Sequence, residues 1–492
     1  MIADTSTPLS RALKPYPEYK ESGLPWLGQV PGHWEIKRAK SIFQCIDQRS
    51  RTGKEELLTV SSARGVVPRK TATVTMFKAE SYVGYKLCCP GDLVINSLWA
   101  WAGGLGVSSH HGIISSAYGV YRVRPDAPMT PAFVHEVARS SSFNWELQVR
   151  SKGIWISRLQ LTDVSFLDAP MHIPPPEEQA AIVWFLDWAN GRLERAIRAK
   201  RKVVALLSEQ KQAIIHRAVT RGLPSTDSTG SRQAGSGQAT SVPLKPSGIP
   251  WLGDVPRHWE VLALKRVLRR LIDCEHKTAP PVDQSEYRVV RTTGIRHGVL
   301  RMHGTYCTSP DAFRAWTRRG LPEPGDVMFT REAPAGEACL VPEGLNLCLG
   351  QRAVLMKLDK RRVNPQFMIH MVYAGPPRIS ITLASQGSTV GHFNIEDIGS
   401  LMILLPPKKE QDMIVTSISV QTEPLSIAIT RLEHEIELLR EYRTRLVADV
   451  VTGKLDVREA AAWLPEEADL SDLPDGADDS DGSAEPLPEE ES

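Results

Sequence analysis

Nowhere in these 492 residues does an uninterrupted apolar run approach the roughly 18 residues that a membrane span requires. The start, MIADTSTPLSRALKP, has neither an apolar h-region nor a small-residue cleavage site, so we expect no secretory leader and a cytoplasmic protein. Cysteine is scarce and odd in number: Cys45, Cys88, Cys89, Cys274, Cys307, Cys339 and Cys348. None stands in C-x-x-C spacing, which removes a zinc ribbon and a thioredoxin-like site and leaves reduced, packed thiols as the expectation. Catalytic signatures are missing too. Gly53-Lys54 and Gly453-Lys454 lack the rest of a phosphate loop. There is no H-E-x-x-H, no G-x-S-x-G elbow, and no Asn/Asp-Pro-Pro-aromatic run of the kind that marks amino-methyltransferases. Gly103, Gly104 and Gly106 lack a third dinucleotide-fingerprint glycine. Neighbouring strand residues face opposite ways, so His110-His111 is read as loop; no metal site and no catalytic residue is expected.

One sign of charge is absent from the end of the chain. From Leu464 onward there are 12 acidic residues and no Lys or Arg. Without that stretch the chain has 59 basic against 45 acidic residues, a net of +14 that the formal total of +2 conceals. A basic body is the electrostatic footprint of a phosphate-binding protein, although solubility alone also produces such an excess. The acidic end, poor in apolar residues, reads as disordered.

What is present is repetition. Residues 22–34 read SGLPWLGQVPGHW and residues 247–259 read SGIPWLGDVPRHW, identical at ten of thirteen positions with a constant shift of 225. Glu178-Gln179 in PPEEQ matches Glu410-Gln411 in PPKKEQ, and VTRGL at Val219–Leu223 matches VTGKL at Val451–Leu455, both at a shift of 232. Between these frames the copies diverge. Shared landmarks there are Pro90-Gly91-Asp92 with Pro324-Gly325-Asp326, and Leu161–Val164 with Ile395–Ile398, each at a shift of 234. Because both copies keep Trp26, Trp34, Trp251 and Trp259, we read these as packing anchors.

Lys40–Ile173 and Val267–Leu405 hold short β-like runs punctuated by Gly and Pro, including Asp92–Asn96, Gly119–Val123 and Ala353–Leu358. Long helical patterns follow each. In the first, Ile182, Ala189, Ala196 and Val203 recur every seven residues beside Leu186, Leu193, Leu207 and Ile214, with Lys200 interrupting. In the second, Leu432, Leu439 and Leu446 run beside Ile429, Ile436 and Val450, with Arg443 interrupting. Such narrow seams suit two helices paired as an antiparallel coiled coil; each helix buried separately in its own core is the alternative. A helix over Glu177–Gly222 is about 65 Å long at 1.5 Å per residue, one to two turns of DNA at ~35 Å each. Pro424 is expected to start or kink the second helix, and Gly222 and Gly453 to end the two.

The expected fold is α+β: two domains with irregular mixed sheets, alternating with two long helices in a pseudo-twofold repeat. The boundaries are an N-terminal segment over 1–21, a first domain over 22–173, a helix over 174–223 and a flexible linker over 224–246. A second domain over 247–405, a second helix over 406–458 and an acidic tail over 459–492 complete the chain.

The doubled P-W-L-G-x-V-P-x-H-W and P-P-x-E-Q segments, each with its long helix, resemble the specificity subunits of Type I restriction-modification systems (the HsdS family). The resemblance extends to about Arg458; the acidic tail lies outside it. It implies two target recognition domains that each read one half of a split DNA site. It implies helices that set the gap and dock two methyltransferase subunits, with restriction subunits joining the assembly. Cofactors are expected only in those partners: S-adenosylmethionine, ATP and Mg. Bidentate side chains discriminate base edges in the major groove, and phosphate contacts fix register. Candidate DNA contacts are Arg64, Arg69, Lys70, Lys152 and Arg158 in the first domain. In the second they are Arg291, Arg296, Arg318, Arg319, Arg331 and Arg352; a solvated surface charge is the plain alternative for each. Arg352 is equally read as a framework residue, and the polar loop Ser385–Asn394 as a backbone-approaching segment. A scaffold for proteins only, or a DNA-binding adaptor outside restriction-modification, is the competing function.

Overall fold

The computed structural model describes residues 13–72, 80–153, 159–223, 243–332, 334–386 and 393–464. Each repeated frame folds the same way. In the first copy, strand β1 (Tyr19–Glu21) pairs antiparallel with β2 (Gln29–Pro31), and β3 (Glu35–Arg38) pairs with β4 (Pro170–Ile173), after which helix α1 (Pro176–Arg221) begins. In the second copy, β5 (Leu244–Pro246) pairs with β6 (Asp254–Pro256), and β7 (Glu260–Ala263) with β8 (Met402–Leu405), ahead of helix α2 (Lys408–Val451). A short helix α3 (Arg458–Ala462) follows.

The chain divides into two units, one of residues 1–200 with 434–492 and one of 201–433. The first unit therefore holds the start of α1 and the end of α2. There they run antiparallel: Lys200 donates to Glu435 at 2.6 Å and Arg443 to Glu194 at 3.2 Å, residue numbers rising on one helix as they fall on the other. Ile182, Phe185, Leu186 and Ala189 join Leu446, Val450 and Val451 in one core with Trp34. In the second unit, Ile215, Ala218 and Val219 share a core with Ile414, Ile418 and Trp259, and Lys211 donates to Ser426 at 2.9 Å.

The interrupting Lys200 and Arg443 are thus the residues that reach across to Glu435 and Glu194. Of the seam expected from the sequence, Ile182, Ala189, Ile436, Leu446 and Val450 are buried. Leu193, Ala196, Leu207, Ile214, Ile429, Leu432 and Leu439 are half-buried. Val203 is a correction: it is 44% exposed. A straight helix drifts about 20° per heptad, so the fourth member of a strict seven-residue row rotates outward, while Ile197 and Ile215, outside the row, turn in. Pro424 does not start the second helix, since α2 begins at Lys408 and Pro424 lies inside it. Both helices start at the proline-rich segments PPPEEQ (174–179) and PPKKEQ (406–411), where a missing N–H costs nothing.

Three boundaries also move. Residues 14–21 are part of the fold: Tyr16 is buried in the first unit's core, and Lys14 bridges Asp456 and pairs with Glu459 at 3.2 Å. The expected tail from 459 includes α3, whose Ala460 and Ala461 enter the same core; only 465–492 lies outside the described residues. Similarly β5 occupies the end of the expected linker.

Each divergent segment is built on a four-stranded antiparallel sheet. The first has the order Phe43–Cys45, Gly119–Val123, Leu93–Ile95, Leu105–Val107. The second has the order Leu268–Asp273, Ala353–Leu358, Val327–Thr330, Ala338–Leu340. The strand order is the same: first, fourth, second, third. The Pro-Gly-Asp landmark is the turn before the second strand in both. Its aspartate is buried and accepts a main-chain N–H, Cys89 to Asp92 at 2.8 Å and Glu323 to Asp326 at 3.0 Å. A cation from the fourth strand pairs with it, Arg122 in one copy and Lys357 in the other. The copies part company in the smaller sheets. Among the described residues the first adds two two-stranded ladders; the second adds one, Ile295–Arg296 with Val299–Leu300, and a three-stranded sheet in which Tyr287–Val290 runs parallel to Asn346–Leu349.

Candidate nucleic-acid interface

The helix start fixes each divergent domain through two adjacent side chains. Glu178 is 4% exposed and takes the frame: Trp34 Nε1–H donates to it at 2.8 Å, His33 Nε2 lies 2.8 Å away, and the Tyr16 hydroxyl donates to it as well. Burial and this carboxylate raise the Tyr16 hydroxyl pKa far above its ordinary value. Glu410 repeats the arrangement with Trp259 at 3.0 Å and His258 at 2.7 Å. A carboxylate in a helix's first turn also complements the positive helix end.

Gln179 and Gln411, both fully buried, face the other way. Gln179 accepts from the Thr130 main-chain N–H at 2.8 Å and donates to Pro128 O at 2.7 Å and Pro174 O at 2.8 Å. Gln411 accepts from Asn364 N–H and donates to Arg362 O and Pro406 O, each at 2.8 Å. Thr130 and Asn364 are the N-caps of equivalent helices, Pro131–Arg139 and Pro365–Ala374. The C-terminal turns of those helices hold the edge strand and a hairpin. Arg139 donates to Leu105 O at 2.9 Å and to Ser62 O and Ala63 O at 2.7 Å. The Tyr373 hydroxyl accepts from Ala338 N–H at 3.0 Å and donates to Glu337 at 2.8 Å, and Glu337 accepts the His297 N–H at 2.8 Å.

The candidate contacts fall unevenly on this scaffold. Arg64 is exposed at the turn of the hairpin Leu58–Ser61/Gly65–Pro68, donating to Thr71 O at 2.6 Å. Lys70 pairs with Glu56 at 2.7 Å, and Arg69 beside it is half-buried. Lys152 is exposed; Arg158 lies outside the described residues. In the second unit Arg296 opens the turn of the hairpin Ile295–Arg296/Val299–Leu300, and exposed Arg291 lies over the Tyr306 ring at 4.8 Å. Arg318 and Arg319 flank Glu275 at 4.0 and 3.4 Å. Arg352, at φ +69°, is exposed and paired with Glu332 at 3.2 Å.

Arg331 is a correction to this set. It is 7% exposed, grips Asp273 at 2.9 Å and donates to Phe393 O at 2.8 Å, so its guanidinium is a framework group. Burial raises the Asp273 carboxyl, and His276 and Arg331 more than offset this, leaving it below its ordinary range. Asp273, Cys274 and His276 are near enough to share a cation, within 4.8 Å, but Arg331 already neutralises the carboxylate. Residues 387–392 of the expected polar loop lie outside the described residues.

Sequence reasoning missed Gln179, Gln411, Arg139 and Tyr373 as the parts that aim the hairpins. Gln179 and Gln411 were marked by the doubled Glu-Gln pair but not their role; for Arg139 and Tyr373 the signal was register, since they stand at the same shift of 234 as the landmarks.

No protein-family model matches the chain. It is 20% identical over 465 residues to the Type I restriction enzyme EcoKI specificity subunit of Escherichia coli (strain K12), covering 90% of this chain and 93% of that one. In fold it is similar to a solved chain from work on complex assembly and conformational transition of the type I R-M system. That match has a TM-score of 0.59 and 15% identity, and covers 86% of this chain and 98% of the other. Across nine-tenths of its length the chain is thus similar in sequence to a Type I restriction enzyme specificity subunit, and it shares the fold of a solved type I R-M chain.

Proposed function

We propose that the chain is the DNA-reading, non-catalytic subunit of a Type I restriction-modification complex, serving defence against foreign DNA. Each recognition domain reads one half of a bipartite, asymmetric site. The paired helices set the spacing and dock two methyltransferase subunits, through which restriction subunits join. The observation that carries this reading is a doubled mount with unlike fittings. Equivalent frames, helix starts and four-stranded sheets support hairpins of different sequence and chemistry, as two readers of different half-sites require. Support for docking comes from α2, whose Met413, Val420 and Ile427 form an outward heptad row at 57%, 66% and 64% exposure. An apolar row of that kind suits a partner helix. S-adenosylmethionine, ATP and Mg belong to the partners in this reading. Among the described residues no helix is long and apolar enough to cross a membrane. We place the complex in the cytoplasm, where its DNA would be.

The test is a half-site exchange. Residues 40–173 are replaced by the corresponding segment of a related specificity subunit, and the complex with its methyltransferase is footprinted on a randomised duplex library. One half of the protected sequence should change while the other half and the gap persist. A complex that protects all duplexes equally, or an unchanged footprint, refutes the proposal and favours a protein-only scaffold.

A further inference from the structure

Two hairpins with no common sequence are seated on the same two helix positions. In the first unit, Gly65 (φ +73°) lies against the helix, where a Cβ would be in ordinary contact, 3.4 Å from the His135 ring and 3.6 Å from the Arg139 guanidinium. In the second, Gly298 (φ +84°) packs so that a Cβ would lie 3.1 Å from Ile369 and 3.8 Å from the Tyr373 ring. His135 and Ile369 are equivalent at the shift of 234, and so are Arg139 and Tyr373. Each hairpin also lies along the equivalent edge strand. Gly65 abuts Gly106, and Gly298 bridges Cys339.

What each seat presents is a short exposed tip. In the first hairpin this is Ser62, Ala63 and Arg64; in the second, His297 and Val299 are exposed and Arg296 half-exposed beside them. A two-stranded ribbon fits the major groove, and arginine and histidine side chains at its turn meet base edges and phosphates there. The path from rod to tip is continuous in each unit. It runs from Gln179 to the Thr130 cap, along one helix to Arg139, and on to Ser62 and Ala63. Its counterpart runs from Gln411 to Asn364, to Tyr373, to Glu337 and to His297.

We infer that the turns at Ser62–Arg64 and Arg296–Val299 are the base-reading elements of the two half-sites, and that Arg139 and Tyr373 are the positioning residues that aim them. This rests on the DNA-reading function proposed above. Neither positioning residue touches DNA. Each fixes a tip against the edge strand, and a guanidinium does in one unit what a phenol–carboxylate relay does in the other.

Tyr373→Phe removes one hydroxyl and keeps the ring against Gly298. In the assembled methyltransferase complex, selection from a duplex library should show discrimination at one half-site falling about ten-fold, within the range a misplaced base contact allows. Discrimination at the other half-site and the gap length should not change. Arg139→Lys keeps charge but forfeits the forked grip on three carbonyls; it should relax the opposite half-site alone. Arg64→Gln, with no positioning role, should relax that same half-site. A merely structural role would weaken binding to all sequences alike. Uniform weakening, or unaltered selection in both positioning variants, overturns the inference while leaving the function standing. A wild-type complex with no sequence preference overturns both.

Discussion

Removing the Glu178 carboxylate tests the mount where it bears most. Tyr16 and Trp34 are 3% and 0% exposed, and both donate to Glu178, whose own side chain is almost sealed from water. His33 is different, with a side chain 42% exposed, and can turn to solvent. Glu178→Ala therefore strands two buried donors at about 1–3 kcal/mol each and loses charge-assisted bonds, a total of roughly 3–5 kcal/mol. Glu410 is an internal control. It accepts from one buried donor, Trp259, and from the exposed His258, and its side chain is 20% exposed. Glu410→Ala should cost about half as much, roughly 1.5–3 kcal/mol. Hydrogen exchange read by mass spectrometry separates the two, because it reports opening segment by segment. In Glu178→Ala, amides of 14–38 and 170–180 should exchange about two to four orders of magnitude faster, with 244–263 unaffected; Glu410→Ala should do the reverse more weakly. Equal effects of the two variants, or less than about 1 kcal/mol at Glu178, would show that the carboxylates are not what holds the frames.

Gly453 and Gly222 both sit at positive φ, +77° and +78°, but a Cβ at Gly453 would meet Pro31 at 2.4 Å and Trp34 at 2.9 Å, against 3.3 Å to Trp259 and Glu410 at Gly222. Gly453→Ala should lower the first unit's thermal midpoint well beyond the roughly 1 kcal/mol of backbone strain expected of Gly222→Ala, and equal shifts would contradict the contact geometry. Burial pushes the His172 ring, stacked on Trp34 at 5.5 Å, down from 6.5 to about 4. The unfolded chain takes up the proton first, so stability is complete above pH 6.5 and declines by about 3 kcal/mol as pH falls to 4. His172→Leu should flatten that part of the urea midpoint against pH, and a parallel curve would exclude His172 as the cause. Arg331→Met leaves Asp273 without its buried partner and should cost about 3 kcal/mol by urea denaturation. Arg64→Ala should leave stability within about 0.5 kcal/mol while lowering the salt slope of DNA binding by about one, and a stability loss there would return Arg64 to the framework.

How far the sequence is legible depends on whether a role is written in one element or shared between distant ones. The frames and helix starts are readable because the same side chains do the same job twice, as Trp34 and Trp259 do on Glu178 and Glu410. The helices are readable from periodicity, and the two misreadings there have local physical causes. Val203 fails because strict heptads and a 3.6-residue turn diverge. Pro424 does not start the helix because α2 already begins at Lys408, after Pro406-Pro407. The four-stranded sheets were not legible as equivalents, since their strands share almost no residues beyond Pro-Gly-Asp. Arg331 looked like a surface cation because nothing local marks Asp273 and Phe393, 58 and 62 positions away, as its partners.

The roles that escaped sequence reading share one property: the mount is built largely on main-chain atoms. Gln179 meets Thr130 N, Pro128 O and Pro174 O; Gln411 meets Asn364 N, Arg362 O and Pro406 O. Arg139 meets three carbonyls, and Glu337 meets the His297 N–H. A main-chain donor or acceptor is the same whatever side chain it carries. Such a mount therefore places no demand on the residues of the hairpin it aims, apart from one glycine where the backbones approach. Tips can change and still be held at the same angle to the helix start. That freedom explains why frame and fitting have diverged at such different rates, and why the two seats tolerate partners as unlike as Arg139 and Tyr373. It also locates the remaining constraint: a substitution that adds a Cβ at Gly65 or Gly298 should disturb aim even where every side chain at the tip is kept.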